Sequence, residues 1–578
     1  MSKANKKKNS NNVSNIKDNN NIERQIVLST TEESKSKKSF DWKEIIPIII
    51  LVILEIHFFR AEIFRGVSFG DLGDGRFTAL ISDHWWRFFC GKERFTEIPI
   101  FYPNATSLGY SDLHLAFGLI HSVIRLFGVP LYTAFKWSCI ILHAIGLFSM
   151  YFLLRKLFHM SVAYSLIGDV GYAFACAMTV CCGHPQLLAF GMMPPLLIFF
   201  IYFVKNFNDR KKRNIFAFLT IFWFVLLVYT SWYMACFTGI FCLVFMIVYT
   251  VIMSKKKAEP FKQVIAWIRT MGWDIVAYIV FIIILFIPFI MIYVPVMKEG
   301  SMYEYTGYFL PDPIDLINIP ESNLMMGWFM KLTKINSRGR DPELWEGFSI
   351  ILLGLFVYTG VDIFRKKWKK SETIDILPKS AFLSVIICLL LMIRWDGANL
   401  SLWALVYTLL IPARAVHAVA RFMLWLCFPM SIVASFWADR IKLFQKGKLG
   451  SVLVYAFLAL LYFSSIFINP MSGGFRADER QAFMDNISTP PQDMSVFYIT
   501  DSSHEDYYWF ASQLDAYEIA VVVDKPTING YSGHFPAGWG FSDPNDENYE
   551  AYVDYWISLH GLTNVYAYDK ALNVWIKR

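Results

Sequence analysis

Eleven apolar runs separated by clusters of Lys and Arg dominate this 578-residue chain from residue 45 to residue 468. A helix needs roughly 20 apolar residues to cross the hydrocarbon core of a bilayer. The runs fall at about 45–59, 131–154, 160–181, 187–204, 214–230, 234–253, 273–296, 347–364, 380–394, 419–437 and 450–468. The basic clusters are Lys35–Lys43, Arg155 with Lys156, Arg210–Arg213, Lys255–Lys257, Arg365–Lys370 and Arg440–Lys448. Each falls where eleven alternating spans with a cytoplasmic N-terminus put a cytoplasmic loop, as positive charge on short loops requires. The same count makes 113–129, with His114, His121 and Arg125, an amphipathic helix at the outer interface rather than a span.

Composition agrees with lipid as the solvent: 55% of residues are hydrophobic and the mean hydropathy is +0.40. The net charge of +7 is spread over inter-span loops and forms no continuous basic surface, which excludes nucleic acid as a partner. Of nine cysteines, eight lie in or beside apolar stretches and read as small core residues. Cys181 and Cys182 stand near His184, but no second Cys or His pair has ligand spacing, so no metal site is assigned. Residues 1–44, rich in Asn, Lys and Ser, bury too little to offset chain entropy and read as a disordered cytoplasmic tail without a cleavable signal. Residues 469–578 carry a strand (Ser495–Thr500), a helix (Tyr507–Ile519) and a closing strand (571–576), a small extracytoplasmic α/β domain. The fold class expected is thus an all-α polytopic membrane protein of about 11 transmembrane helices with that C-terminal domain. Residues 45–468 form the membrane domain, and 60–130 form its large first outer loop.

Polar side chains with chemistry gather on the outer side. The first loop opens SFGDLGDGRF, with Asp71 and Asp74 three apart, glycines around them and Arg76 alongside. Two carboxylates at the rim of a membrane cavity can accept a proton or hold a cation; the alternative is a polar turn whose Asp caps a helix and pairs with Arg76. Asp83, His84 and Asp112 follow in the same loop, Asp112 as a functional carboxylate or the cap of the 113–129 helix. The turn CCGHPQ sets His184 and Gln186 at the outer mouth, to bind a hydroxyl or phosphate oxygen or simply to cap a helix. In IPARAVHAVARF, Arg414, His417 and Arg421 are spaced to line one helical face. Cations at a helix start oppose its dipole, so an anion belongs nearby: a lipid headgroup or a substrate phosphate.

Taken in succession, GDLGDGRF, DHWW, FYPNATSLGYSD, GHPQLLAF, ELWEGFSIILLG, IPARAVHAVARF and INGYSGHFP resemble the membrane-embedded C-type glycosyltransferases (GT-C fold), particularly their bacterial branch, over residues 45–540. The resemblance implies sugar transfer from a polyprenyl-phosphate carrier to an extracytoplasmic glycan, lipid or wall-polymer acceptor. It makes Asp71 or Asp74 the general base, places Asp112 near the acceptor or a metal, and gives Arg414 and Arg421 the carrier phosphate. Arg76, His84, His184, Gln186 and His417 would complete substrate binding. The resemblance fixes no cofactor and leaves a divalent cation open. The competing class is a polytopic transporter or lipid flippase, against which stands the scarcity of charge at the span centres.

Overall fold

The structure, a computed structural model, describes residues 42–255, 260–299, 304–305, 307–336, 341–365, 376–395, 400–444, 449–467, 474–503 and 508–578. It divides into two compact units, Met1–Ile49 and Ile50–Arg578. Of the first, only the opening of the Trp42–Phe58 helix is described, and the expected tail up to residue 41 lies outside the described residues.

The second unit is built on long apolar helices. Among the described residues six are long and apolar enough to cross a membrane: Leu131–Leu157, Pro185–Lys205, Arg210–Thr230, Trp232–Ser254, Asp274–Lys298 and Val419–Arg440. The other five expected runs are met by shorter helices, Trp42–Phe58, Val162–Ala173, Ile350–Arg365, Ile376–Met392 and Gly450–Ser465. Side chains such as Ile279, Ile283, Ile284 and Ile287 on the Asp274–Lys298 helix are exposed, which suits a lipid-facing surface. The segment expected at the interface forms a short helix, Leu115–Arg125, with Phe117 and His121 buried and Leu119 and Val123 exposed.

The helix interiors hold more ionisable side chains than the apolar runs suggest. Glu55, His143 and Asp169 are all buried within helices, which removes one of the arguments against a transporter.

In the C-terminal domain the strand Val496–Thr500 pairs in parallel with Val565–Asp569, which pairs antiparallel with Val574–Lys577. The helix Trp509–Val523 covers this sheet through Ala516, Ile519 and Ala520. The closing strand, expected over 571–576, begins only at Val574 after a turn and runs to Lys577; the central strand and the Tyr549–His560 helix are additions. Backbone pairing fixes this domain to the first loop, where Phe101 N donates to Asn529 O at 2.9 Å, Tyr102 N to Thr527 O at 3.0 Å and Thr527 N to Pro99 O at 2.9 Å. At Gly530 any side chain would collide with the Phe101 ring, a Cβ lying 2.2 Å from it.

Arg76 completes that attachment. Its guanidinium is buried, with Nη2 2.5 Å from Asp515 Oδ1 and Nε 3.1 Å from Glu518 Oε1, and Arg480 and Tyr132 share the same carboxylates. Arg76 therefore turns away from Asp71 and Asp74, contrary to its expected substrate-binding role. A buried guanidinium needs paired carboxylates, and the Trp509–Val523 helix supplies them.

Candidate functional site

The site starts at the turn before the Asp74–Phe89 helix. Gly70 has φ +102°, and a Cβ there would lie 2.5 Å from Gly75 Cα and 2.7 Å from the Pro185 ring. Only a glycine lets this turn close onto itself and onto the His184–Pro185 turn. Within it Asp71 Oδ1 accepts the backbone N–H groups of Gly73 and Gly75, each at 3.0 Å. Burial, and then the nearby Asp74 charge, push the Asp71 carboxyl above its ordinary value despite those two hydrogen bonds.

Asp74 is the head of a line of alternating charge. His184 Nδ1 donates to Asp74 Oδ2 at 2.5 Å, and its Nε2 donates to Glu343 Oε1. Arg421 then clasps Glu343 with two hydrogen bonds, Nε to Oε2 and Nη2 to Oε1, both 2.9 Å. Burial and the Arg421 charge oppose protonation of His184, but Glu343 and Asp74 outweigh them and push it up to about 9. His184 is therefore an imidazolium at neutral pH. Burial would raise Asp74, yet the hydrogen bond and charge of His184, with help from Tyr531, hold it below the usual carboxylate range. Glu343 is likewise held low, Arg421 and His184 prevailing over burial. The line Asp74–His184–Glu343–Arg421 thus alternates minus, plus, minus, plus.

Three further groups close the pocket. Tyr531, delivered by the C-terminal domain just after Gly530, donates from its hydroxyl to Asp74 Oδ1 at 2.8 Å. The Arg421 guanidinium lies over the Tyr233 ring, 4.8 Å from its centroid, while the Tyr233 hydroxyl accepts the backbone N–H groups of His417 and Ala418. His114 is buried in a left-handed conformation, φ +47°, with Nδ1 lacking a partner among the described residues; burial pushes its imidazole down to about 4. An ordered non-glycine residue in that region of backbone space is strained, and strain of this kind collects at functional sites.

Of the residues expected from sequence, Asp71, Asp74, His184 and Arg421 come together. Asp112 stands close to Arg421 but caps a different helix from the one expected: its Oδ1 accepts the N–H of Trp232 at 3.2 Å, and burial pushes its carboxyl up to about 6. Gln186 follows in the same turn, its side-chain oxygen buried without a partner among the described residues. His84 lies elsewhere, buried with Nδ1 2.5 Å from Glu93 Oε2, and its neighbour Asp83 pairs with His121 and Arg125. Arg414 also turns away, toward the Tyr407 and Thr408 carbonyls and the Tyr407 ring. The helical face expected for Arg414, His417 and Arg421 does not form, because Ile411–Ala415 and Val419–Arg421 are separate short turns with extended backbone between them.

The sequence reading assigned no role to Glu343, His114 or Tyr531. Glu343 and Tyr531 sit in quoted motifs, ELWEG and INGYSG, and the signal that pointed to Glu343 is the anion that Arg421 at a helix start demands. Among the described residues no group of three or more His, Cys, Asp or Glu is disposed to hold a metal ion; the facing atoms of Asp74, His184 and Glu343 are spent on one another.

No protein-family model matches this chain, and neither does any curated protein. Among solved structures it is similar to the oligosaccharyltransferase of Archaeoglobus fulgidus in its apo form, with a TM-score of 0.49 and 11% identity over 91% of this chain and 69% of that one. The same enzyme tethered through a disulfide bond to an acceptor peptide containing the NVT sequon gives a TM-score of 0.44 and 12% identity over the same shares.

Proposed function

We propose that this protein is an integral membrane glycosyltransferase that moves a sugar from a polyprenyl-phosphate carrier to an extracytoplasmic glycan, lipid or wall-polymer acceptor. The observation that carries the reading is the charged line Asp74–His184–Glu343–Arg421 with the half-buried Asp71 carboxyl beside its head. One end offers a carboxylate to take a proton, and the other offers a guanidinium at the start of the Phe422–Arg440 helix, where an anion is favoured.

Asp71 is the better base. Its Oδ1 is fixed by two backbone amides, its carboxyl is poised above the ordinary range, and Asp74 is committed to His184 and Tyr531. In the reaction the acceptor hydroxyl oxygen bonds to the anomeric carbon and its proton passes to Asp71. The bond from that carbon to the carrier phosphate breaks, and the electron pair stays on the phosphate. Arg421 Nη1, without an acceptor among the described residues, faces the negative charge that develops there. Asp74, His184 and Glu343 hold Arg421 in place, and the Asp112 carboxyl stands near Arg421 at the phosphate end of the line.

The second reading, a transporter or flippase of glycan precursors, draws on the ionisable side chains buried among the helices. Reconstituting the purified protein in liposomes with a polyprenyl-phosphate sugar and candidate acceptors separates the two. The enzyme reading expects free polyprenyl phosphate to form only when acceptor is present. Movement of the intact carrier between leaflets with no release would refute it.

A further inference from the structure

Three ionisable side chains on three apolar helices lie buried away from Asp74 and Arg421, two of them in direct contact. Glu55 lies on the Trp42–Phe58 helix, His143 on Leu131–Phe152 and Asp169 on Val162–Ala173, exposed by 6%, 3% and 0%. His143 Nδ1 is 3.0 Å and 2.8 Å from the two Glu55 carboxyl oxygens, and Nε2 is 2.8 Å from the carbonyl of Ala173. A carbonyl can only accept, so Nε2 carries a hydrogen. A second hydrogen must lie between Nδ1 and Glu55, on one or the other, and the pair holds two protons and no net charge. The rings of Phe58, Phe59 and Phe174 wall it in, Phe58 stacked on the imidazole at 5.2 Å and 11°.

Asp169 supplies a second, independent observation. Neither of its carboxyl oxygens has a hydrogen-bond partner among the described residues, and the charged group whose field reaches it is Glu55. An ionised carboxylate without a hydrogen-bond partner is not tolerated at that depth, so Asp169 carries its proton. The remaining titratable groups facing the cluster are occupied: His57 Nδ1 meets the Tyr462 hydroxyl at 2.7 Å, and the Tyr172 hydroxyl donates to Phe190 O at 2.8 Å. The Phe422–Arg440 helix presents hydroxyls here, Ser431 beside Gly171 and Ser435 beside Gly168.

We propose that Glu55, His143 and Asp169 form an intramembrane proton-binding site, with exchangeable protons shared by Glu55 and His143 and a further one held by Asp169. It adds a function that sugar transfer at the pocket does not require. It also has a mechanical link to that pocket, because His143 holds the last residue of the helix that leads, through Cys176–Cys182, to His184.

The test is infrared difference spectroscopy on the full-length protein in lipid nanodiscs, which needs no transferase activity. A protonated-carboxyl band is expected at neutral pH. It should shift in D2O, shift again when aspartate carries 13C, fade at alkaline pH and disappear in Asp169→Asn. If Asp169→Asn does not fold, Asp169→Glu makes the assignment, since its band then loses the 13C-aspartate shift while any band from Asp71 or Asp112 keeps it. No band at neutral pH, a band unmoved by labelled aspartate, or a band unchanged by D2O and by pH would overturn the proposal. So would a band abolished at constant pH by sodium, which would mean that the carboxyl takes a metal cation instead.

Discussion

Each residue of the pocket is defined by what it touches, and that sets the direction of its substitutions. Tyr531→Phe removes the hydroxyl bonded to Asp74 and keeps the ring. The transfer rate should fall about tenfold or more, the worth of one hydrogen bond to a charged group, with the fold unchanged by circular dichroism. The His184 imidazolium has a folded pKa of about 9, raised above its ordinary 6.5. A raised group contributes stability that is complete below the unfolded value and lost as pH climbs through the folded one. Between pH 7 and 10 the wild-type Tm should fall more steeply than that of His184→Gln; parallel profiles would place the neutral imidazole in the pocket. Asp71, Asp74, His184 and Arg421 were legible because carboxylates, an imidazole and a guanidinium are rare in so apolar a chain. Tyr531 was not, since a tyrosine near a membrane normally reads as an anchor, and its reach to Asp74 exists only once Gly530 is pressed against Phe101.

Among the elements, apolar period located the helices well and misjudged the segments between them. The stretch 411–421 has helical spacing of its cations, yet Pro412 and the capture of the His417 and Ala418 N–H groups by Tyr233 break it into two turns. Arg414 is lost to the pocket in that break. Arg76 has the opposite history: on sequence it stands beside two aspartates, and in the fold its carboxylates come from a helix more than 400 residues later. Arg76→Met should leave Asp515 and Glu518 to Arg480 and Lys570 and cost about 1.5–3 kcal/mol, the worth of the charged hydrogen bonds it removes, read as a loss of thermal or denaturant stability. Gly70→Ala forces a Cβ against Gly75 and Pro185 at positive φ and should lower both stability, by about 1–3 kcal/mol, and transfer activity.

At the scale of the whole molecule, the account requires the first loop, the Arg421 turn and the C-terminal domain to share the extracytoplasmic side. The exposed thiol of Cys90 reports on this directly: a membrane-impermeant maleimide should label it in intact cells, and labelling only after permeabilisation would invert the topology. Hydropathy and loop charge argue for that arrangement from sequence alone, because lipid imposes them on every span regardless of tertiary detail. Which loop residues converge is set instead by long-range closure, by backbone pairing of 99–102 with 527–529 and by the ion pairs of Arg421, and local patterning does not encode it. The decisive measurement is acceptor-dependent release of free polyprenyl phosphate by Asp71→Asn, which keeps an oxygen for the Gly73 and Gly75 amides and removes only the base. The account predicts a loss on the order of 10²–10⁴-fold with wild-type stability; turnover equal to the wild type would contradict it.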